Sequence, residues 1–389
     1  MRHMNTDSLL KKLSRYVVFN AINIISNIIG CYKKKAIIPD TIHHILVIDI
    51  GMLGDLLMAT PLLAGIKAIY PYSSLTIVCT PWAVEAIRNN PHVDTVITYE
   101  AFWEDRSTQS SPCIKHLIST YNILNTFKKN RYDIAFIVTA RQQPIVNLIG
   151  YLSGSAILIG IRYPLGCKLL THSVDPENKH IVIQKASLLQ FVAPEYRLTS
   201  RMEYIVTIES RNFVDNFIDE HIKKNNCEYV CLTPSSLQIS KRWRSDAWVE
   251  LTDLIIASGL IVYLCGGNDD KDYVDVIYSK VMQKDRCYNL SGIFTFNQFA
   301  ALIEKSKLLI TVDSAPVHLA AALEVQCLVL CSRIYDYHKY MPAGNLTTIM
   351  VKKVECYECL KGCEQADCMD FNVYDVYNSY STLVRTTED

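Results

Sequence analysis

The sequence has no excess of charge of either sign. Lys and Arg total 39 and Asp and Glu total 39 in 389 residues, and no long basic stripe interrupts that balance. A polyanion such as nucleic acid is therefore not an expected partner. A membrane-spanning run is missing too. The apolar stretch YVVFNAINIISNIIG, residues 16–30, has 15 residues and contains three Asn, short of the ~20 apolar residues that cross a bilayer. It is also a poor signal peptide, because no small-residue cleavage site follows and basic residues stand on both sides. Without such a signal, the 14 cysteines are expected as reduced thiols in the cytoplasm. The fingerprint Gly-x-Gly-x-x-Gly is absent from the strand-end turns, which counts against a nicotinamide dehydrogenase.

What is present at the amino terminus, residues 1–38, leaves two readings open. Lys11, Lys12 and Arg15 precede the apolar stretch and Lys33, Lys34 and Lys35 follow it. An amphipathic helix lying on an anionic membrane surface suits that arrangement. A helix packed on the main body suits it equally.

The rest of the chain is long enough for two cores of about 100–200 residues each. Residues 45–50 form a continuous aliphatic run, the mark of a strand buried on both faces. Strands follow at 74–80, in VDTVITY, at 131–139 and near 157–161, with helices between them, including AVEAIRNN. After an irregular stretch and the helix NFVDNFIDEHIKKNN, the pattern restarts with the strand EYVCLTP and the helix DAWVELTDLIIASG, for which Gly259 is a cap candidate. LIVYLCGG and KLLITVD are further strands, each followed by a helix. Alternation of this kind predicts α/β architecture: two Rossmann-like, doubly wound domains facing a central cleft, 39–200 and 201–350, with a Cys-rich tail at 351–389. Ligands of such sheets bind outside the carboxyl ends of the strands, so the chemistry is expected in the loops there.

Four of those loops stand out. Gly51-Met52-Leu53-Gly54-Asp55 joins the first strand to its helix, where glycines permit close approach and helix-start N–H groups meet oxygen. Asp55 suits a helix cap, and its place at a strand end suits a general base. Asp313-Ser314-Ala315-Pro316-Val317-His318 links a strand to a helix. The free N–H groups of Ser314 and Ala315 suit a diphosphate, Pro316 costs little in a first turn, and His318 is equally a core histidine. Ser236 and Lys241, in PSSLQISKRW, bring a hydroxyl and a mobile cation to phosphate oxygens. Asp269, after a second strand, suits the hydroxyls of a ribose or a solvated N-cap.

Together ILVIDIGMLGDLLMATPLL, SKRW and ITVDSAPVHLAAAL resemble the lipopolysaccharide heptosyltransferases, inverting glycosyltransferases with the fold called GT-B, over about residues 43–370. The resemblance implies a catalytic base at Asp55, a donor-phosphate contact at Lys241 and a diphosphate-binding turn at Asp313, Ser314, Ala315 and His318. Ser236 and Asp269 match the donor side more loosely. Gly54 is expected on the acceptor side, and Arg141, just after the strand RYDIAFIVTA, suits an acceptor contact or a structural place on the surface. The chain departs from the family's usual pattern at Asp49, where Lys or Arg is common, and at Ala315, where Gly is. The first departure reverses a charge beside the expected site. The implied activity is inverting transfer of heptose or a related sugar from an ADP-sugar such as ADP-heptose to a lipopolysaccharide-core or other glycolipid acceptor. No cofactor is required, because Lys241 and a helix start can receive the leaving diphosphate without a divalent cation. A retired, nucleotide-sugar-binding relative of the same fold is the alternative. The expected location is the cytoplasm, with peripheral contact at the inner face of the cytoplasmic membrane.

Cys356, Cys359, Cys363 and Cys368 fall within thirteen residues as Cys-x2-Cys-x3-Cys-x4-Cys. Four thiolates at short spacing can close a structural zinc site. Partial disulfide pairing and free thiols remain open beside it.

Overall fold

The structure is a computed structural model that describes residues 6–32, 37–39, 41–100, 113–139, 144–176, 179–222, 228–334, 336–342, 346–355 and 366–385. The chain divides into two compact units, Met1–Arg201 and Met202–Asp389.

In the first unit the strands are β1 (His44–Asp49), β2 (Ser74–Cys79), β3 (Thr95–Thr98), β4 (Ile134–Ile137), β5 (Ile157–Ile161) and β6 (His172–Val174). They form one parallel sheet in the order β3-β2-β1-β4-β5-β6. Helices α1 (Thr6–Tyr32), α2 (Leu53–Leu57), α3 (Thr60–Ile69), α4 (Cys113–Asn130), α5 (Pro144–Leu152) and α6 (Ile181–Ala186) accompany it. β1 is central, and Ile45, Leu46, Val47 and Ile48 are fully buried. Hydrophobic residues on both faces of the strand thus bury against helices on both sides, as a parallel sheet requires.

The second unit repeats the plan. Its strands are β7 (Tyr229–Thr233), β8 (Ile261–Leu264), β9 (Cys287–Asn289), β10 (Leu308–Val312), β11 (Cys327–Cys331) and β12 (Thr347–Val351). Their order, β12-β11-β10-β7-β8-β9, read from the other edge, is that of the first sheet. Helices α7 (Ile208–Phe217), α8 (Ser245–Ala257), α9 (Lys271–Lys280), α10 (Phe296–Glu304), α11 (Ala315–Ala322), α12 (Tyr337–Tyr340) and α13 (Val373–Arg385) complete it. Helix α8 ends at Gly259, whose φ of +100° is the left-handed conformation that glycine adopts without a Cβ penalty.

Several elements differ from the sequence reading. Residues 83–90 form no α-helix. Only the 3-10 turn Val84–Ala86 appears, because Pro91 follows within a few residues and leaves too little chain for a stable helix. β6 and β12 are short edge strands with partly exposed side chains, so they lack the buried aliphatic run that marks a central strand. Helix α13 is amphipathic, with Val373, Val376 and Tyr380 in the second unit's core beside Cys368, Met369 and Phe371. The described part of the tail is therefore integral to that core. Helix α1 lies against α5 and the 3-10 turn Cys167–Leu169, with Ile22 and Ser26 buried.

Candidate active site

Each sheet reverses its winding between two central strands, β1 and β4 in the first unit and β7 and β10 in the second. The crevice outside the carboxyl ends at such a reversal is where doubly wound sheets bind ligands. Most of the expected site residues leave these strand ends.

In the first unit the chain turns at Gly51, immediately after Asp49 and Ile50. A Cβ at Gly51 would lie 2.6 Å from Asp55 Cβ and 2.9 Å from Asp49 Oδ1, closer than side chains pack, so this turn requires glycine. The Met52 N–H donates to Asp55 Oδ2 at 2.8 Å. Asp55 therefore caps its own helix, yet it stays half-buried, and among the described residues nothing bonds its Oδ1. Gly54 is buried, and its carbonyl accepts the Met58 N–H at 3.0 Å. Arg141 lies outside the described residues.

Asp49 does not present the reversed charge that the sequence suggested. It is fully buried, and Lys185 of α6, also fully buried, pairs with its Oδ2 at 2.6 Å. The same Nζ donates to the main-chain carbonyl of Asp55 at 2.7 Å. Burial pushes the Asp49 carboxyl up to about 6 from its ordinary 3.8; Lys185 pulls it down and the Asp55 charge adds to the rise. Sequence reasoning missed Lys185. Its one signal was a charged residue in an apolar helix, and nothing local pairs it with a strand residue 136 positions away.

In the second unit Lys241 ends the 3-10 turn Ile239–Lys241, and its Nζ lies 2.7 Å from Asp313 Oδ2 across the ends of β7 and β10. Ser236 is buried, and its carbonyl accepts the Arg242 Nε–H at 2.8 Å. The Arg242 guanidinium stands 4.9 Å from the Tyr273 ring, a cation–π contact that steadies this loop. Ser314 takes the N-cap position of α11, but its hydroxyl donates to Val312 O at 3.2 Å and caps nothing. The Ser314 and Ala315 N–H groups have no acceptor among the described residues. A helix start left open beside a lysine favours an anion through both the N–H groups and the macrodipole. Ala315 and Pro316 open the helix, and His318 is buried one turn on.

Asp269 is exposed on the 3-10 turn Asn268–Asp270, and its neighbour organises the loops. Asp270 Oδ1 accepts from Ser235 Oγ at 2.6 Å and Oδ2 from the Gly267 N–H at 3.0 Å, tying the turn after β8 to the loop after β7. The spacing that reveals it is that of Met52 to Asp55: a carboxylate three residues inside a turn reaching back to its first N–H.

Of the four clustered cysteines only Cys368 is described. It is buried in the second unit's apolar core at the 3-10 turn Asp367–Met369; Cys356, Cys359 and Cys363 lie outside the described residues. Among the described residues no group of three or more His, Cys, Asp or Glu could hold a metal ion.

Comparison with known proteins bears on this geometry. Lipopolysaccharide heptosyltransferase 3 of Escherichia coli is 24% identical over 283 residues, covering 71% of this chain and 80% of its own. Among solved structures, a family 9 glycosyl transferase of Veillonella parvula aligns with a TM-score of 0.77 at 17% identity, over 88% of this chain and 98% of that one. The ADP-heptose lps heptosyltransferase II of Escherichia coli aligns at 0.71 and 18% identity, over 89% of this chain and 100% of that one. The two-unit α/β fold is thus GT-B. The profile of glycosyltransferase family 9 (heptosyltransferase) matches residues 125–369, which begin after the Asp55 turn and include the whole Ser236-to-His318 cluster. With well over half of its length matched, the chain belongs to glycosyltransferase family 9 and is a glycosyltransferase.

Proposed function

We propose that this enzyme transfers heptose from ADP-heptose to a hydroxyl of a lipopolysaccharide-core acceptor, with inversion at the anomeric carbon. The observation that carries the donor side is the open start of α11 beside Lys241. Uncapped N–H groups and an ammonium converge on one strand end, the arrangement that stabilises a departing diphosphate. The names of the aligned Escherichia coli proteins, which specify ADP-heptose and lipopolysaccharide, support the choice of sugar and acceptor. On the acceptor side, the half-buried Asp55 carboxylate accepts the proton of the attacking hydroxyl. The acceptor oxygen bonds to the anomeric carbon, the bond from that carbon to the β-phosphate oxygen breaks, and ADP leaves with the electron pair. Lys241 and the Ser314 and Ala315 N–H groups take up its charge, so no metal ion is needed.

Transfer assays with ADP-heptose and a lipid A–inner-core acceptor test this reading. General-base catalysis contributes about 10²–10⁴-fold, so Asp55→Ala should lose at least about 100-fold in kcat while ADP still binds. Normal turnover in Asp55→Ala would remove the base assignment. Binding without turnover in the natural protein would replace the activity with nucleotide-sugar binding alone.

The outer face of α1 supports a further part of the reading, peripheral attachment to an anionic membrane on the cytoplasmic side. Val17, Ala21, Ile24 and Ile28 follow helical spacing and are all exposed, whereas Ile22 and Ser26 face the body. Basic residues at 11, 12, 15 and 33–35 bracket this stripe in sequence and complement anionic headgroups. No helix among the described residues is long and apolar enough to cross a membrane, so contact is along the surface. Sedimentation with vesicles containing phosphatidylglycerol should recover the protein, and Ile24→Asp/Ile28→Asp should abolish recovery. Equal recovery of both proteins would refute attachment through this stripe, and no recovery of the natural protein would refute attachment itself.

A further inference from the structure

We propose that the buried Asp49–Lys185 pair is a positioning device for Asp55, holding the base residue against the end of β1. The inference rests on the reading of Asp55 as the base. Lys185 reaches the turn from α6, a separate element of the same unit, and spends two of its three N–H donors there. One meets Asp49 Oδ2 at 2.6 Å and another the Asp55 carbonyl at 2.7 Å. The strand end and the first turn of α2 are thus tied to one ammonium group. Within the turn, Gly51 is a position where a Cβ would come within 2.9 Å of an oxygen of each carboxylate, and the Met52 N–H fixes Asp55 Oδ2. Asp55 is therefore held at its carbonyl by Lys185 and at its side chain by the turn.

Stability does not explain the pair. Two charges taken wholly out of water incur a desolvation cost that their attraction at best offsets, and apolar residues of similar volume are often as stable. The cost is visible here: Asp49 Oδ1 is buried with no hydrogen-bond partner among the described residues. What apolar replacements could not supply is the donor to the Asp55 carbonyl. The groups facing Asp49 are Lys185 from α6, Asp55 from α2 and the buried Cys79 of β2, whose thiol Asp49 helps to push up to about 12 after burial. Of these, Lys185 alone is cationic, so it carries both the charge compensation and the tether.

Two double variants separate positioning from support. Asp49→Asn/Lys185→Met removes both charges at nearly constant volume; Asp49→Lys/Lys185→Asp keeps a neutral pair but places a carboxylate, which cannot donate, where the tether stood. Thermal unfolding and ADP binding by calorimetry report folding, and kcat and KM are measured with ADP-heptose and the lipid A–inner-core acceptor. Displacing a reacting group by about 1 Å costs on the order of 100-fold. Both variants should therefore lose about 10- to 100-fold in kcat, with KM for the donor within about twofold and ADP binding retained. The exchanged pair should recover the unfolding temperature without recovering kcat. If the exchanged pair regains both together, or if either folded variant keeps kcat within about twofold, the positioning role is overturned. Full activity in Asp55→Ala removes the base reading itself; an inactive Asp55→Ala beside fully active pair variants removes only the positioning.

Discussion

Among single residues, Asp49 shows how far burial and pairing can oppose each other. Its folded carboxyl holds a proton up to about pH 6, against an ordinary value of 3.8, because the loss of hydration outweighs the attraction of Lys185. A pKa raised by folding means that the folded state binds the extra proton more tightly. Asp49 therefore contributes stability below pH 3.8 that is lost as the pH rises to about 6. Asp49→Asn has no such titration. The stability of the natural protein relative to this variant should fall from pH 4 to pH 6 and stay level above it. Urea unfolding midpoints at one-unit pH steps measure this, and a relative stability that rises over the same range would contradict it. The sequence located Asp49, Asp55, Lys241 and Asp313 at strand ends because a buried aliphatic run and its glycine or proline turn are local signals. It could not show that Asp49 is neutralised, or that Asp270 rather than Asp269 links two loops, because those facts depend on a hydroxyl or ammonium brought in from another element.

Among elements, the legible ones were those with a strong local pattern. β1 read as a continuous aliphatic run, β7 and β10 as strands followed by helices, and α8 as a helix with Gly259 at its end. β6, β12 and α13 were not read: edge strands alternate weakly, and the tail's cysteines obscured the amphipathic period behind them. Yet α13 is a structural element of the second unit. Tyr380 is 2% exposed in the core, and its hydroxyl lies 3.0 Å from Ser258 Oγ at the end of α8. Nearby, Trp243 Nε1 donates to Phe371 O at 3.2 Å, anchoring the chain that enters α13. Tyr380→Ala empties a large core site and should cost about 3–5 kcal/mol, whereas Tyr380→Phe loses only a hydrogen bond worth about 0.5–1.5 kcal/mol. Chemical denaturation of both variants checks the difference, and near-equal costs would mean that the hydroxyl, not packing, holds α13.

At the scale of the whole molecule, sequence alone determined that there are two α/β units and singled out the strand-end loops that bear the candidate residues. Strand periodicity and turn residues are local, and parallel strands joined by helices admit few windings. Neutral composition argued against a polyanion partner, and the short, Asn-containing apolar stretch against a membrane span; both are sums over residues that need no coordinates. The tertiary structure decided the remainder. It put both winding reversals at the strands that bear the candidate residues and left the first N–H groups of α11 uncapped beside Lys241. It buried Cys368 in an apolar core, turned an apolar stripe of α1 outward, and brought Lys185 across the first unit to Asp49. Each of these depends on how elements far apart in the chain pack, and no local rule of spacing encodes that.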